Sequence, residues 1–385
     1  MRVLHVIYKL DPEGGGPPRA LLGLASAQKQ AGLDVRVLAA YRRHADMRIR
    51  EELVSRGVPV QLVGPTIGPL QWHRSNARAA DLACRGVDIV HIHAIWEDLL
   101  HHAARAARSL RVPYIVRPCG MLDPWSLSQR SLRKRLYLAW RLRRSLDTAA
   151  ALHFTTETER ELTDVLSLKA ASIVEPNGVE LHEFVEPPAP GTFRRAFPQI
   201  GSRPIVLFLS RLHPKKGVDL LVAAFARANT ADAVLVLAGP DPVGYRRRVE
   251  ALVKQHGLDK DVIFTGMVHG RDRVAAMVDA DLFVLPSYQE NFGVAVVEAL
   301  ATGTPVIVSD QVNICHEIDG AECGAVVPLD VDALALALSK WMSDARCRIQ
   351  ASQRATELVA AHYDWNQIAR RWCVHYERLV GRRHR

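Results

Sequence analysis

In the second half of this 385-residue chain, two cations and two acids have the types and spacing to break a bond to a phosphate. Arg211 and Lys216 lie in the turn Ser210-Arg211-Leu212-His213-Pro214-Lys215-Lys216-Gly217, between an apolar strand (Ile205–Leu209) and a helix opening near Gly217. A guanidinium presents a planar fork of donors and an ammonium a compact charge, so together they can neutralise a diphosphate. Glu290 and Glu298 lie in the segment from Pro286 to Leu300, where a strand ends, a polar turn follows, and a helix begins after Gly293. Glu290 precedes the helix and Glu298 is inside it, so both can point toward one bound molecule. Asn291, Phe292 and Gly293 add backbone N–H groups at a helix N-terminus, a ready anion site.

Other loops fit the same chemistry. Gly14-Gly15-Gly16-Pro17-Pro18-Arg19 follows the first strand and opens the first helix, and its glycines allow close backbone approach to a ligand. Gly239 and Gly266 each end a strand and serve either as turns or as close-approach points. His91 and His93 fall on one face of the strand Asp88–His93. His93, nearer the strand's end, reads either as a general base or as a hydrogen-bonded structural histidine. Asp279-Ala280-Asp281 has metal-ligand spacing, but it begins a buried strand, away from the ligand edge, and no metal is assigned to it.

The elements that must hold these residues repeat twice. Short β-branched runs alternate with helical patterns over residues 1–175, and the rhythm restarts after residue 203. This predicts two doubly wound parallel sheets in an α/β fold, with ligands outside the carboxyl ends of the strands. The boundaries read as a domain over 1–185, a linker over 186–203 rich in proline, a second domain over 204–361, and a helix over 362–385 that packs back toward the first domain. In that tail Trp365, Ile368, Trp372, Tyr376 and Leu379 keep helical spacing.

The formal charge is +9, and residues 1–185 hold most of it, with 26 Lys/Arg against 19 Asp/Glu. A basic first half favours an anionic partner. No apolar run reaches the length of a membrane span. The six cysteines lack Cys-x-x-Cys spacing, which fits reduced thiols in a cytoplasmic protein. Residues 128–146 carry Arg130, Arg133, Lys134, Arg135, Arg141, Arg143 and Arg144 with no acid before Asp147. Leu132, Leu136, Leu138, Ala139, Trp140, Leu142 and Leu146 share one arc, with most of the basic residues opposite. This is either a core-packed helix with a solvated face or a contact for the anionic inner face of a membrane.

Arg211 and Lys216 before a helix, Glu290 and Glu298 at E-x7-E spacing, and Pro176-Asn177-Gly178-Val179 occur in an order that resembles glycosyltransferase family 4 over nearly the whole chain. The resemblance implies the GT-B fold, two Rossmann-like domains facing across a cleft, and a retaining, metal-independent transferase without cofactor. Ser309-Asp310-Gln311-Val312-Asn313-Ile314 and Arg117-Pro118-Cys119-Gly120-Met121 further resemble bacterial members that build surface polysaccharides, exopolysaccharide or lipopolysaccharide. On this resemblance Arg211 and Lys216 bind the donor diphosphate, Glu290 the donor sugar hydroxyls, and Glu298 the ribose. Asn291, Phe292 and Gly293 present N–H groups to sugar and phosphate, and Gly15 and Gly16 close over the phosphates. The partners are then a nucleotide-sugar donor and a glycan or lipid-linked acceptor. Some family members carry a catalytic histidine where this chain has Arg117-Pro118-Cys119-Gly120, and Glu97 and Asp123 are further acidic candidates for the acceptor side.

A nucleotide-sugar epimerase or a phosphorylase of the same architecture is the alternative enzyme. A non-enzymatic nucleic-acid binder is disfavoured because aromatics are only 6% of the chain and the basic helix has just Tyr137 and Trp140 for stacking.

Overall fold

The computed structural model describes residues 1–11, 15–129, 131–230 and 232–381, with Ser131 by its backbone alone. Gly14 and Arg130, singled out above, lie outside the described residues. The chain divides into two units, Met1–Gly178 with Trp365–Arg385, and Val179–Asp364.

The first unit is built on the parallel strands β1 (Arg2–Ile7), β2 (Asp34–Ala40), β3 (Val60–Val63), β4 (Ile89–His93), β5 (Tyr114–Arg117), β6 (Ala151–Phe154) and β7 (Ser172–Val174), in the order β3-β2-β1-β4-β5-β6-β7. The second is built on β8 (Ile205–Leu209), β9 (Val234–Ala238), β10 (Val262–Gly266), β11 (Leu282–Leu285), β12 (Val306–Ser309) and β13 (Gly324–Val327), in the order β10-β9-β8-β11-β12-β13. These are two doubly wound Rossmann-like sheets. Whereas β1 and β4 of the first carry buried histidines, the central strands of the second are continuous apolar runs, as expected where helices cover both faces. Ile205, Val206, Leu207 and Phe208, for example, are wholly buried. Strand order reverses between β1 and β4 in one sheet and between β8 and β11 in the other, the places where such sheets leave a crevice for ligands.

The helix Trp365–Gly381 belongs to the first unit and buries Trp365, Ile368, Trp372, Tyr376 and Leu379 in its core. Trp365 seats against Gly23, where a β-carbon would lie 2.1 Å from the indole Nε1, so no larger residue fits without displacement.

The division between units does not follow the proline-rich segment. Residues 186–203, read above as a linker, lie within the second unit, where Phe193 and Ile200 are buried in the core. Asp279 fastens the segment by accepting from the N–H groups of Gly191 at 2.6 Å and Arg194 at 3.0 Å. Prolines mark where a helix cannot continue, but they do not say which core the neighbouring aromatics join. Strand β7 was not foreseen, since three residues at a sheet edge, one exposed and two half-buried, carry too little periodicity to read.

Candidate active site

In the second unit, the loops leaving β8, β11 and β12 are laced together at the carboxyl edge of the sheet. The turn Pro214–Lys216 leads through Gly217 into the helix Val218–Arg227. Gly217 has φ 67°, and a β-carbon there would lie 1.9 Å from the Pro286 carbonyl oxygen, so only glycine lets the two loops touch. The Tyr288 N–H donates to the Lys215 carbonyl at 2.8 Å. On the other side, the Glu290 N–H donates to the Gln311 carbonyl and the Asn313 N–H to the Glu290 carbonyl, each at 3.0 Å. Ser309 Oγ donates to the Ser287 carbonyl at 2.6 Å. The backbone of Glu290 is thereby pinned from both flanks.

This framework pairs the Lys216 ammonium with Glu290 Oε2. Lys216 is buried, which is rare for lysine unless it is paired. Burial alone would raise the Glu290 carboxyl. The charge and hydrogen bond of Lys216, with Lys215 and Arg211 nearby, outweigh it and hold the group below the ordinary range, so it is ionised at neutral pH. Arg211 is exposed. His213 accepts the Lys215 N–H at its Nδ1, 3.0 Å away, and burial together with the three surrounding cations lowers its affinity for a proton. The edge thus presents concentrated positive charge beside one fixed carboxylate.

Glu298 has a different partner. It lies in the helix Val294–Ala301 and accepts from Arg273 Nη1 at 2.6 Å, while Arg273 Nη2 donates to Glu183 at 2.7 Å. Phe292 is buried against Tyr363, with ring centroids 5.7 Å apart, and anchors the loop that carries Glu290. Gly293 caps the following helix in left-handed conformation, so the Asn291–Gly293 segment opens a helix whose first N–H groups have no partner within the helix. The Gly239 N–H donates to the Gly266 carbonyl at 2.8 Å, and a β-carbon on Gly239 would meet the Ser210 carbonyl oxygen at 1.9 Å. Loop packing therefore already requires this glycine. Asp279 and Asp281 hydrogen-bond backbone N–H groups, Asp281 that of Ile205 at 2.9 Å, so both carboxylates of the Asp-x-Asp pair serve the fold.

In the first unit, Gly15 precedes the helix Gly16–Gln30 and Gly16 begins it, with open space where β-carbons would be. Pro17 and Pro18 occupy its first turn and have no N–H to give, so this helix start offers fewer anion donors than its glycines suggest. His93 is wholly buried. Its Nε2 shares a hydrogen bond with His5 Nδ1 at 2.9 Å, and its ring stacks on His91 with centroids 4.6 Å apart. From there the chain of bonds runs His5 to Gln28, Gln28 to Tyr376, Tyr376 to His91, His91 to His153, and His153 to the Glu175 carbonyl, over 2.8 to 3.1 Å. Burial, then the neighbouring imidazoles and Arg117, push His91 and His93 well below the ordinary histidine range. Of the two readings of His93, its surroundings match the structural one. His5, His91 and His93 bring ring nitrogens within 4.8 Å of one another, but His91 lies stacked on both other rings rather than converging with them edge-on, which is not how imidazoles enclose a metal ion.

At this edge the structure adds contacts and strain that residue order does not show. Arg117 donates to Asn177 Oδ1 at 2.5 Å, which joins two segments quoted above for their resemblance. Glu97 is buried with no partner for Oε2, and burial lifts its carboxyl to about 7 despite nearby backbone N–H groups, Lys9 and Arg42. Ala94 and Cys119, just past β4 and β5, hold φ of 77° and 57°, a strain that gathers at functional loops. Glu97 is among the acidic candidates named above, whereas the Arg117–Asn177 bond and the strained backbone of Ala94 and Cys119 have no local signature in the sequence.

The basic helix also departs from its wheel. A π-helical turn, Leu138–Leu142, interrupts it, and Leu138, Leu142 and Leu146 are buried while Leu132 (71% exposed), Leu136 (64%) and Trp140 (91%) face outward. Lys134 turns to the Ser126 carbonyl and Arg141 to Asp98, so neither belongs to an open basic face.

Residues 15–178 match the family described as glycosyl transferase 4-like domain, and residues 192–358 match glycosyl transferases group 1. A glycosyltransferase of Methanocaldococcus jannaschii is 26% identical over 96% of this chain and 96% of its own. A phosphatidyl-myo-inositol mannosyltransferase of Mycolicibacterium smegmatis is 32% identical over 54% of this chain, which spans about half (52%) of that relative's length. Among solved structures, Anabaena HepE in complex with UDP and glucose superposes with a TM-score of 0.80 at 20% identity, covering 97% of this chain and 99% of that one.

Proposed function

The chain belongs to glycosyltransferase family 4, retaining enzymes of the GT-B fold that use nucleotide-sugar donors, and on that premise we propose that its second unit grips the donor through Arg211, Lys216, Glu290 and Glu298. What carries the reading is the Lys216–Glu290 pair at the β8/β11 switch point. Breaking the bond between the anomeric carbon and the diphosphate leaves positive charge on the sugar and negative charge on the leaving group. Lys216 and Arg211 stabilise the departing diphosphate more than they stabilise the intact donor, which is what lowers a barrier. Glu290, ionised and held by Lys216, accepts hydrogen bonds from sugar hydroxyls, and Glu298 receives the ribose. The N–H groups of Asn291, Phe292 and Gly293 face the phosphates.

The acceptor is a glycan or a lipid-linked sugar, and its assembly belongs to surface-polysaccharide synthesis. The outward Leu132, Leu136 and Trp140, flanked by exposed Arg133, Arg135 and Arg144, support docking on an anionic membrane surface, where apolar side chains enter the headgroup boundary and arginines meet lipid phosphates. No described helix is long and apolar enough to cross a membrane.

A thermal-shift series with UDP-glucose and GDP-mannose tests the donor reading. At about 100 times Kd a bound donor adds ~2.7 kcal/mol of stability, and the shift should shrink in Glu298→Ala. No shift with any nucleotide sugar, under conditions where the protein is folded, would sink it. Co-sedimentation with phosphatidylglycerol vesicles tests the membrane contact. Binding should fall when Leu136 and Trp140 become serine, and unchanged binding would refute that face.

A further inference from the structure

Arg273 has no role in the chemistry above, yet it is one of the best-buried cations in the second unit, with 13% of its side chain exposed. It lies in the helix Gly270–Val278, which follows β10. Its guanidinium holds two acids at once, Glu298 Oε1 through Nη1 and Glu183 Oε2 through Nη2. Glu298 is the more buried of the two, with 11% of its side chain exposed against 35% for Glu183.

This arrangement exceeds what a surface ion pair needs. One cation between two carboxylates leaves the trio with a net negative charge, which favours a further donor over a further anion. A glutamate side chain has several rotatable bonds, and fixing it costs about 1.5–2 kcal/mol of conformational freedom. Arg273 meets that cost before any ligand arrives. A carboxylate accepts about four hydrogen bonds, so the Arg273 bond at Oε1 helps orient the group without exhausting it. The planar fork is rigid, and Glu183 on its second arm stops the guanidinium from turning to close bidentately on Glu298.

We propose that Arg273 is a positioning residue that sets Glu298 to receive the 2′,3′-diol of the donor's ribose, with Glu183 holding the guanidinium in place. This rests on the donor-site reading above and adds to it the element that makes Glu298 selective for ribose. Two vicinal hydroxyls supply two neutral donors, which suits a preoriented anion whose own cation is already committed.

The test is titration calorimetry with UDP, 2′-deoxy-UDP and 3′-deoxy-UDP, repeated with the guanosine series. Wild-type protein should favour the ribonucleotide by on the order of 10-fold per hydroxyl, as for hydrogen bonds to a charged group. Arg273→Gln should bring both ratios to within about threefold of one, while the gain of UDP over uridine persists. Arg273→Lys, which keeps the charge but lacks the fork, should fall between and serves in place of Arg273→Gln if that variant melts below the assay temperature. A uniform loss of affinity with wild-type ratios would make Arg273 merely structural and overturn the proposal. If Glu298→Gln also keeps the wild-type ratios, the donor-site assignment of Glu298 fails as well; if Glu298→Gln loses them and Arg273→Gln does not, only the present inference fails.

Discussion

The two sheets reverse strand order at equivalent places, yet what stands there differs in kind. At β1/β4 the sheet carries His5, His91 and His93, buried, stacked and neutral, bonded onward to Tyr376 of the final helix. At β8/β11 the loops carry Lys216 and Glu290, paired and charged, with Arg211 exposed beside them. Burying imidazoles is tolerable because they can shed a proton, whereas a buried ammonium and carboxylate need each other. One topology therefore serves two purposes. The first switch point fastens the C-terminal helix, and the second keeps charge in reserve for a ligand.

That contrast can be broken or sharpened experimentally. The largest expected effect is on turnover. Lys216→Ala should lower kcat/KM by roughly 10²–10³, the usual result of removing one group that stabilises developing charge. Steady-state transfer assays should show a far smaller change for Lys215→Ala, and similar losses in both variants would dissolve the special status of the pair.

Acid should then separate the units. Burial, partly offset by the Gln28 hydrogen bond and aided by Arg117, lowers His5 to about 4. A histidine depressed in the folded state gives stability that is present above its unfolded value near 6.5 and is lost as pH falls toward 4. His5 alone contributes roughly 3 kcal/mol at neutral pH by this linkage. Glu290 is also depressed, but its contribution disappears only below the ordinary glutamate range. Relative to the intrinsic exchange rate at each pH, amides of β1 and β4 should thus lose protection between pH 6.5 and 5 while those of β8 and β11 keep theirs. Simultaneous loss in both sheets would contradict the comparison.

A smaller effect should follow from Tyr376→Phe. It strips a partner from Gln28 and from His91, both wholly buried, at a cost of about 1–3 kcal/mol. Denaturant melts followed by tryptophan fluorescence should show the first unit weakened while nucleotide affinity is unchanged.

Much of this architecture was legible in residue order. Apolar runs such as Ile205–Leu209 and Leu282–Leu285 ended at polar turns, and the tail's Trp365, Ile368, Trp372, Tyr376 and Leu379 are residues that its helix buries. The turn bearing Lys216 and the loop bearing Glu290 could be placed at one sheet edge because both follow adjacent central strands. Contacts across long sequence separation could not be read. Arg273 meets Glu183 ninety residues away, and His91 meets Tyr376 at a separation of 285, with nothing local to mark either pair. The helical wheel of residues 128–146 misled for another reason. Its apolar arc was about 200° wide, and only the half with Leu138, Leu142 and Leu146 is buried, while the half with Leu132, Leu136 and Trp140 faces outward.

The central claim is that the cationic turn after β8 receives a diphosphate. Comparing UDP with uridine, and GDP with guanosine, by calorimetry in wild-type protein and in the Arg211→Ala/Lys216→Ala double variant isolates the phosphate contribution. The account predicts that the diphosphate strengthens wild-type binding by at least 100-fold and that most of this gain vanishes in the double variant, with nucleoside affinity preserved. If the double variant keeps the full diphosphate gain, the anion is bound elsewhere and the account is wrong.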